Sequence, residues 1–386
     1  MKILELFGGI GACTSAFKRL KIPYEVVDYV DIDKYATASY NAINGTNFEP
    51  QDIRDWNKDI EVDLIMHGSP CQDFSVAGNN AGGDKGSGTR SSLMYETLRI
   101  VEKLKPKYVI WENVKNLLSK KHKHNFDSYI VELNRLGYTS FYKVLNAKDY
   151  GIPQNRERVF TISILNGGEF EFPQKQPLKL RLKDLLEDNV DKKYYLDKKT
   201  SDLYQIKNIE LPCIVRSVGR NPNNPSDRTP GVPTVQRLEV NTKGVSNTLT
   251  SIQKDNYVLE SGNQSLKIKS ATKLGYMIAR NGDSVNLAFP KSNTQRGRVG
   301  KDVSQTITTS ETMGVIDSLR IRKLTPRECW RLMGFNDEDF EKASKVNSNT
   351  QLYKQAGNSI VVNVLVSIFE NLFKGDVLNV YYRKNT

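Results

Sequence analysis

Short apolar runs that end in glycine, proline or acidic residues alternate with stretches of helical spacing through the first part of the chain. Lys2 to Phe7 predicts a buried strand that runs into Gly8-Gly9-Ile10-Gly11, and Ala12 to Leu20 has the apolar spacing of a helix. Glu25 to Asp33 predicts a second strand, ending in carboxylates. Asp63-Leu64-Ile65-Met66 is a third, and it stops at Gly68-Ser69-Pro70-Cys71, a sequence that can continue neither as helix nor as ladder. Leu93 to Leu104 is again helical, and Tyr108-Val109-Ile110-Trp111 is a strand ending at Glu112-Asn113-Val114. Strand and helix in alternation predict an α/β fold with a parallel sheet, whose ligands bind at the C-terminal strand ends.

The pattern changes after about Pro173. Lys, Arg, Asn, Thr and Ser become frequent, and helical periodicity fades beyond about Asp197. Lys243-Gly244-Val245-Ser246-Asn247-Thr248-Leu249-Thr250-Ser251 is echoed by Lys301-Asp302-Val303-Ser304-Gln305-Thr306-Ile307-Thr308-Thr309, which reads as a duplicated strand-turn unit. Thr325-Pro326-Arg327-Glu328 has the form of a capping box with proline at the first helical position, so a helix running to Met333 is expected before Gly334. Asn358 is expected to cap a last helix carrying Ile360, Val361, Val364, Leu365, Ile368 and Leu372 at core spacing. That helix is too apolar to stand alone and should return to the N-terminal sheet. Three segments follow: a first domain over 1–174, a second over 175–318, and a returning segment over 319–386 that completes the first.

Charge narrows the range of partners. Lys and Arg outnumber Asp and Glu by 56 to 44, a net charge of +12, which suits a polyanion such as nucleic acid. Cys13, Cys71, Cys213 and Cys329 form no CxxC pair, so neither a disulfide framework nor a zinc site is expected and a reducing compartment fits. The first seven residues are too acidic and too short for a signal h-region, and no apolar run approaches membrane-spanning length. A soluble cytoplasmic protein is the expectation.

Candidate chemistry sits at the strand ends. Proline stiffens the turn that presents the Cys71 thiol, while Gly68 leaves room for a ligand; a buried cysteine beside an ordinary turn is the plainer alternative. The glycine turn at 8–11 lacks the third glycine of the dinucleotide fingerprint, because Thr14 stands in its place. It would suit an adenosine cofactor without a pyrophosphate, or be a plain tight turn. Of the acids that follow, Asp31 is the candidate for ribose hydroxyls and Asp33 for a helix cap. Asp52-Ile53 offers a polar and an apolar contact to an adenine. Residues 78–90 hold five glycines and read as a mobile loop. Glu112 shares the sheet edge of Cys71, and Arg156 and Arg158 fall on one face of an extended segment. Beside a thiol and a carboxylate such arginines could hold an anion or a carbonyl oxygen; solvated arginines are the usual case.

Phe7-Gly8-Gly9-Ile10-Gly11, Gly68-Ser69-Pro70-Cys71-Gln72, Glu112-Asn113-Val114, Gln154-Asn155-Arg156-Glu157-Arg158, Arg327-Glu328 and Gln355-Ala356-Gly357-Asn358-Ser359, in that order, resemble the motif series of the DNA cytosine-5 methyltransferases. The resemblance implies a Rossmann-like S-adenosylmethionine-dependent sheet with helices on both faces, plus a smaller, irregular, β-rich target-recognition domain. It implies methyl transfer to C5 of a flipped-out cytosine in a specific duplex sequence, with S-adenosylhomocysteine as product and no metal. Cys71 would add to C6, Glu112 would hold N3 and the exocyclic amine, Arg158 the O2 carbonyl, and Arg156 would support the thiolate. Phe7, Gly9, Gly11, Asp31, Ile32, Asp52, Ile53, Pro70, Leu93, Asn358 and Ser359 match the family's cofactor positions. Two positions depart from the pattern: Ala12 replaces a common glycine, and Ile32 stands where an aromatic often stacks on adenine.

The same resemblance assigns the middle segment to double-stranded DNA. Ser75 would touch a flanking phosphate, Thr306 sits in the better placed copy of the repeat, and Arg237, Arg296 and Arg298 are candidates for phosphates or guanine edges. A monomer of a restriction-modification system or mobile element is the expected setting, with a restriction endonuclease of the same specificity as a further partner. The competing readings are a tRNA cytosine-5 methyltransferase and a catalytically inactive DNA-binding homologue. Retention of Cys71, Glu112, Arg156 and Arg158 together argues against the second.

Overall fold

The computed structural model describes residues 1–70, 74, 84, 86–194, 213–224, 232–241, 245–247, 256–261, 266–279, 284–286, 294, 299–300, 313–315 and 319–374. Two compact units divide the chain: Met1–Glu187 with Val245–Asp255 and Thr325–Thr386, and Asp188–Gly244 with Asn256–Leu324. The division thus falls after Glu187 and before Thr325, where the sequence pattern placed it at 174 and 318, and a short piece of the middle segment clusters with the first unit.

The first unit is built on a six-stranded sheet in the order β2-β1-β3-β4-β7-β5. β1 (Lys2–Leu6), β2 (Glu25–Val30), β3 (Leu64–His67) and β4 (Tyr108–Val114) are parallel; β7 (Glu157–Leu165) runs antiparallel between β4 and β5 (Tyr138–Asn146). All four residues of β3 and six of the seven in β4 are buried, as expected of strands covered on both faces. The strand order reverses at β1, so the C-terminal ends of β1 and β3 flank the crevice where an open α/β sheet receives its ligand.

Helices α1 (Ala12–Leu20), α2 (Lys34–Asn44), α3 (Met94–Leu104) and α4 (Lys123–Arg135) connect the strands. Asp33 caps α2, accepting from the backbone N–H of Tyr35 at 3.0 Å and of Ala36 at 3.4 Å. Against β4, Trp111 packs on Tyr129 of α4 with ring centroids 4.3 Å apart and stacks on Phe126 at 5.8 Å. The returning segment supplies α5 (Pro326–Arg331), α6 (Asp337–Ser344), α7 (Asn349–Asn358) and α8 (Val362–Leu372). The Thr325–Glu328 capping box is present. α8 returns as expected: its Phe369 ring lies 4.7 Å from that of Phe17 on α1.

Asn358, however, does not cap α8. It is the last residue of α7, and α8 begins at Val362 after an extended break through Ser359 and Val361. The physical reason lies in Arg156, whose buried Nη2 donates to the carbonyl oxygens of Gly357 at 3.1 Å and Ser359 at 2.8 Å and so satisfies the C-terminal carbonyls of α7 where it breaks. β4 ends at Val114, within the expected Glu112-Asn113-Val114, and β7 pairs with it antiparallel to that point.

The second unit, taken by itself, is mainly β-structure among the described residues, apart from a 3-10 turn at Lys192–Tyr194. β8 (Cys213–Arg220), β9 (Val235–Asn241), β11 (Asn256–Ser261) and β17 (Leu319–Lys323) form an antiparallel sheet in the order β17-β11-β8-β9. Smaller pairings join β12 (Leu266–Lys269) to β13 (Tyr276–Ala279), and β14 (Ser284–Asn286) to β15 (Val299–Gly300) and β16 (Met313–Val315). In the first copy of the repeat, β10 (Ser246–Asn247) pairs in parallel with β6 (Gln154–Asn155) inside the first unit. The second copy lies outside the described residues.

Candidate active site

The turn after β1 is held open by backbone geometry. Phe7 is left-handed at φ 53°, a conformation that costs energy outside glycine and occurs where the surroundings enforce it. Gly11 has φ 82°, and a Cβ there would lie 2.7 Å from Thr14 Oγ1, so the position that breaks the dinucleotide fingerprint also fills the space behind the turn. The Asp31 carboxylate ties the turn to β2: it accepts the Gly9 N–H at 2.9 Å and the Asp33 N–H at 2.9 Å. Burial, followed by the charge of Asp33, raises its pKa above the ordinary aspartate value despite those two bonds. Tyr29 donates to the Gly9 carbonyl at 2.7 Å from the same strand.

The turn after β3 is pinned from β4. Ser69 is buried; its hydroxyl accepts from Trp111 Nε1 at 3.0 Å, and its carbonyl accepts from Asn113 Nδ2 at 3.2 Å. Beyond the turn, Phe74 is fully buried and its carbonyl accepts from Asn116 Nδ2 at 2.7 Å. Cys71 itself and Ser75 lie outside the described residues, as do Thr306, Arg296, Arg298 and the side chain of Arg237. Of the glycine-rich stretch, Asp84 and residues 86–90 are described, and Asp84 meets His124 Nε2 at 2.7 Å.

Glu112 and Arg158 come together through sheet register. Glu112 faces Phe160 and Val114 faces Arg158, so Arg158 is the diagonal neighbour of Glu112 on one face of the β4–β7 pair. Arg158 Nε lies 3.2 Å from Glu112 Oε1, both side chains being under a fifth exposed. The contact lacks hydrogen-bonding geometry, so Oε1 keeps its capacity for a ligand. Burial lifts the Glu112 pKa above the usual glutamate range, with Arg158 and then Arg156 pulling against it.

One cavity of about 50 Å³ gathers these parts: Phe7, Gly9, Gly68, Glu112, Asn358 and Ser359 are in its wall, with Glu5 and His67 beside them. Four stretches far apart in sequence thus meet at the crevice between β1 and β3. A larger depression of about 540 Å³, beside Phe141, Phe170 and Lys374, contains none of the motif residues and is set aside for that reason. Ile32 projects into solvent next to Asp31, 69% exposed, whereas Ile53 is in the core and Leu93 packs partly buried against it. The Asp52 carboxylate pairs with Arg54 at 2.5 Å. Pro70 is half-buried. Among the described residues, no cluster of three or more His, Cys, Asp or Glu could hold a metal, and no helix is long and apolar enough to cross a membrane.

Residues 1–374 match the family described as C-5 cytosine-specific DNA methylase. The chain belongs to that family. Its relatives include the type II methyltransferase M2.ScrFI of Lactococcus lactis subsp. cremoris, 34% identical over 97% of this chain and 99% of that protein. The orphan methyltransferase M.SPRI of Bacillus phage SPR is 32% identical over 96% and 97% of the two chains. Among solved structures, S. pombe Dnmt2 methyltransferase superposes with a TM-score of 0.56 at 20% identity, covering 97% of this chain and 98% of that one, a likeness of fold. The protein is therefore a DNA cytosine-5 methyltransferase of the kind found in restriction-modification systems and phages, in a family that uses S-adenosylmethionine as methyl donor.

Sequence reasoning missed Glu5, Trp111 and Asn113 as parts of this site. An acid inside an otherwise apolar strand and the Asn next to Glu112 were the available signals.

Proposed function

We propose that the enzyme methylates C5 of a cytosine flipped out of a specific duplex DNA sequence, through a covalent bond between Cys71 and C6. The observation that carries this reading is the cavity in which Glu112, held 3.2 Å from Arg158, meets the glycine turn and Asn358-Ser359. The residues fit S-adenosylmethionine: a Cβ at Gly9 would meet nothing within 4 Å, the Asp31 carboxylate stands at the end of β2, and Ile32 offers an exposed apolar face beside it. Phe7, Gly9, Gly11, Asp31, Ile32, Pro70, Asn358 and Ser359 would hold it. Ile53 and Leu93 would support the pocket from the core and Asp52 from its rim. When bound, the cofactor supplies an electrophilic methyl group.

The chain's own groups do the remainder. Flipping exposes C6, at a cost of a few kcal/mol that contacts with the protein must offset. The Cys71 thiolate adds to C6, which makes C5 nucleophilic; after methylation, loss of the C5 proton expels the thiolate. Glu112, with its pKa raised by burial, is suited to hold a proton at cytosine N3 while its other oxygen accepts from the exocyclic amine. Arg158 can keep its contact with Glu112 while donating to O2. Arg156 acts from behind, joining β7 to the Gly357–Ser359 segment. The 175–318 segment reads the DNA through Thr306, Arg237, Arg296 and Arg298, with Ser75 of the first domain at a flanking phosphate. The setting is a bacterial cytoplasm. A cognate endonuclease is the further partner where the gene belongs to a restriction-modification system, as the type II relatives' names suggest and the orphan ones do not.

The test replaces Cys71 with Ser and measures both labelled-methyl transfer and DNA binding. Transfer should vanish while specific binding remains; undiminished transfer would remove Cys71 from the nucleophile's role.

A further inference from the structure

One acid in the cavity wall has no task in that scheme. Glu5 lies inside β1, 1% exposed, between register partners Tyr29 on β2 and Met66 on β3. Its Oε1 accepts from the Tyr40 hydroxyl of α2 at 2.9 Å, and the Thr14 backbone N–H of α1 also donates to it. The other titratable groups that face it are Cys13 and Lys18 from α1, Tyr24 from the loop before β2, Tyr29 from β2, His67 at the end of β3, and Glu112 across the cavity from β4. Lys18 is the cation of that set, and its ammonium is bound to Asn44 Oδ1 at 2.7 Å. Burial keeps His67 neutral, its pKa pushed down to about 3. Among the described residues Glu5 has no ion pair. A buried carboxylate without a counter-ion is costly, so the acid stays protonated, and burial raises its pKa to about 8.

We infer that Glu5 is the counter-charge for the sulfonium of the methyl donor, a positioning residue that ionises when the cationic cofactor enters and is reprotonated once sulfur has become a neutral thioether. The inference rests on the proposed S-adenosylmethionine reading and deepens it. The cavity is small, about 50 Å³, and Glu5 and Glu112 both line it, so the acid stands in the same confined space as the methyl-transfer residues. On donor binding the carboxylic O–H of Glu5 breaks and its proton passes to solvent. After transfer, sulfur has lost its positive charge and Glu5 takes a proton back. The charge that favours the donor thereby stops favouring the product, which helps the product to leave.

The linkage has a definite sign. Below the free-enzyme pKa of about 8, donor binding must expel a proton, so donor affinity should rise with pH and level off above about 8. The rise can reach tenfold per pH unit for one proton.

Titration calorimetry between pH 6 and 9, in two buffers of different ionisation heat, measures affinity and protons released together. The ligands are S-adenosylmethionine, S-adenosylhomocysteine, and sinefungin, which carries an amine in place of the sulfonium; Glu5→Gln corrects for the ligands' own ionisations. The wild type should release close to one proton more than Glu5→Gln with the two cationic ligands at pH 7, and no more with the thioether. The preference for donor over product should fall about tenfold in Glu5→Gln. Equal weakening of all three ligands would overturn the inference, since that marks a contact to their shared ammonium or adenosine. Should Glu5→Gln not fold, Tyr40→Phe removes the hydroxyl that favours the ionised acid and should move the levelling point to higher pH; an unmoved point contradicts the inference. Binding of donor and product with no proton release sinks the charge assignment alone. Failure of both to bind the wild type sinks the cofactor reading, and the assignment with it.

Discussion

Glu112 and Glu5 line one cavity from strands two places apart in the sheet, and their surroundings differ in kind. On the β4 side, the register of β4 and β7 brings Arg158 within 3.2 Å of Glu112, with Arg156 contributing from behind. On the β1 side, Glu5 has a phenol and a backbone amide and no ion pair. In the proposed reaction the first wall would hold its charges ready for a base that arrives neutral and becomes charged. The second remains neutral until a ligand brings charge to it. Burial is common to both; the presence of a fixed cation decides which task each acid can perform.

Glu112→Gln attacks the first wall most directly. It keeps the shape but cannot hold a proton at N3, and kcat should fall by 10² to 10⁴-fold while donor affinity changes less than twofold. Equal losses in both would mean that the two walls do not divide the work. Arg158→Ala should cost about 10²-fold in kcat/KM and lift the pKa of Glu112 further, moving the acidic group of the pH-rate profile upward. A profile that stays in place would separate Arg158 from Glu112.

Stability against pH tests the second wall without a ligand. Glu5 ionises near the ordinary glutamate value in the unfolded chain and at about 8 in the folded one. Its contribution is therefore full below the unfolded pKa and lost as pH rises toward 8, on the order of a few kcal/mol. Denaturant unfolding at pH 5.5 and 8 should show a smaller decline for Glu5→Gln than for the wild type; parallel declines would place the pH dependence elsewhere. Ser69→Ala removes the acceptor of Trp111 Nε1, leaves a buried donor unpaired, and should destabilise the enzyme by about 1–3 kcal/mol in the same assay. The smallest effect lies outside both walls: Arg298→Ala, as a phosphate contact, should lower the log–log salt slope of DNA binding by about one on all sequences alike. An unchanged slope removes Arg298 from that role.

Much of the architecture was readable where pattern and chemistry coincide. The apolar runs of β1, β3 and β4, the helix over Ala12–Leu20 and the Thr325 capping box follow from local rules, and each is found. Position in space was harder to read than type. Asn358 looks like a cap because an apolar helix follows it, but a cap is decided by which carbonyls and amides are already satisfied, and Arg156, about 200 residues earlier, takes the carbonyls of Gly357 and Ser359. Glu5 looks like a flaw in an apolar strand. Its meaning depends on Tyr40 and on a cavity assembled from four separate stretches, and no local spacing encodes either. The i, i+2 spacing of Arg156 and Arg158 suggested a shared face, yet only the β4–β7 register shows that Arg158 serves Glu112, while Arg156 bonds the carbonyls of Gly357 and Ser359.

Bisulfite sequencing of DNA from cells that lack cytosine methylation of their own, expressing either the wild type or Glu112→Gln, tests the central claim most directly. The account predicts protected cytosines at one recurring sequence with the wild type and none with Glu112→Gln. No protection with the wild type, or the same protection with both, would contradict it.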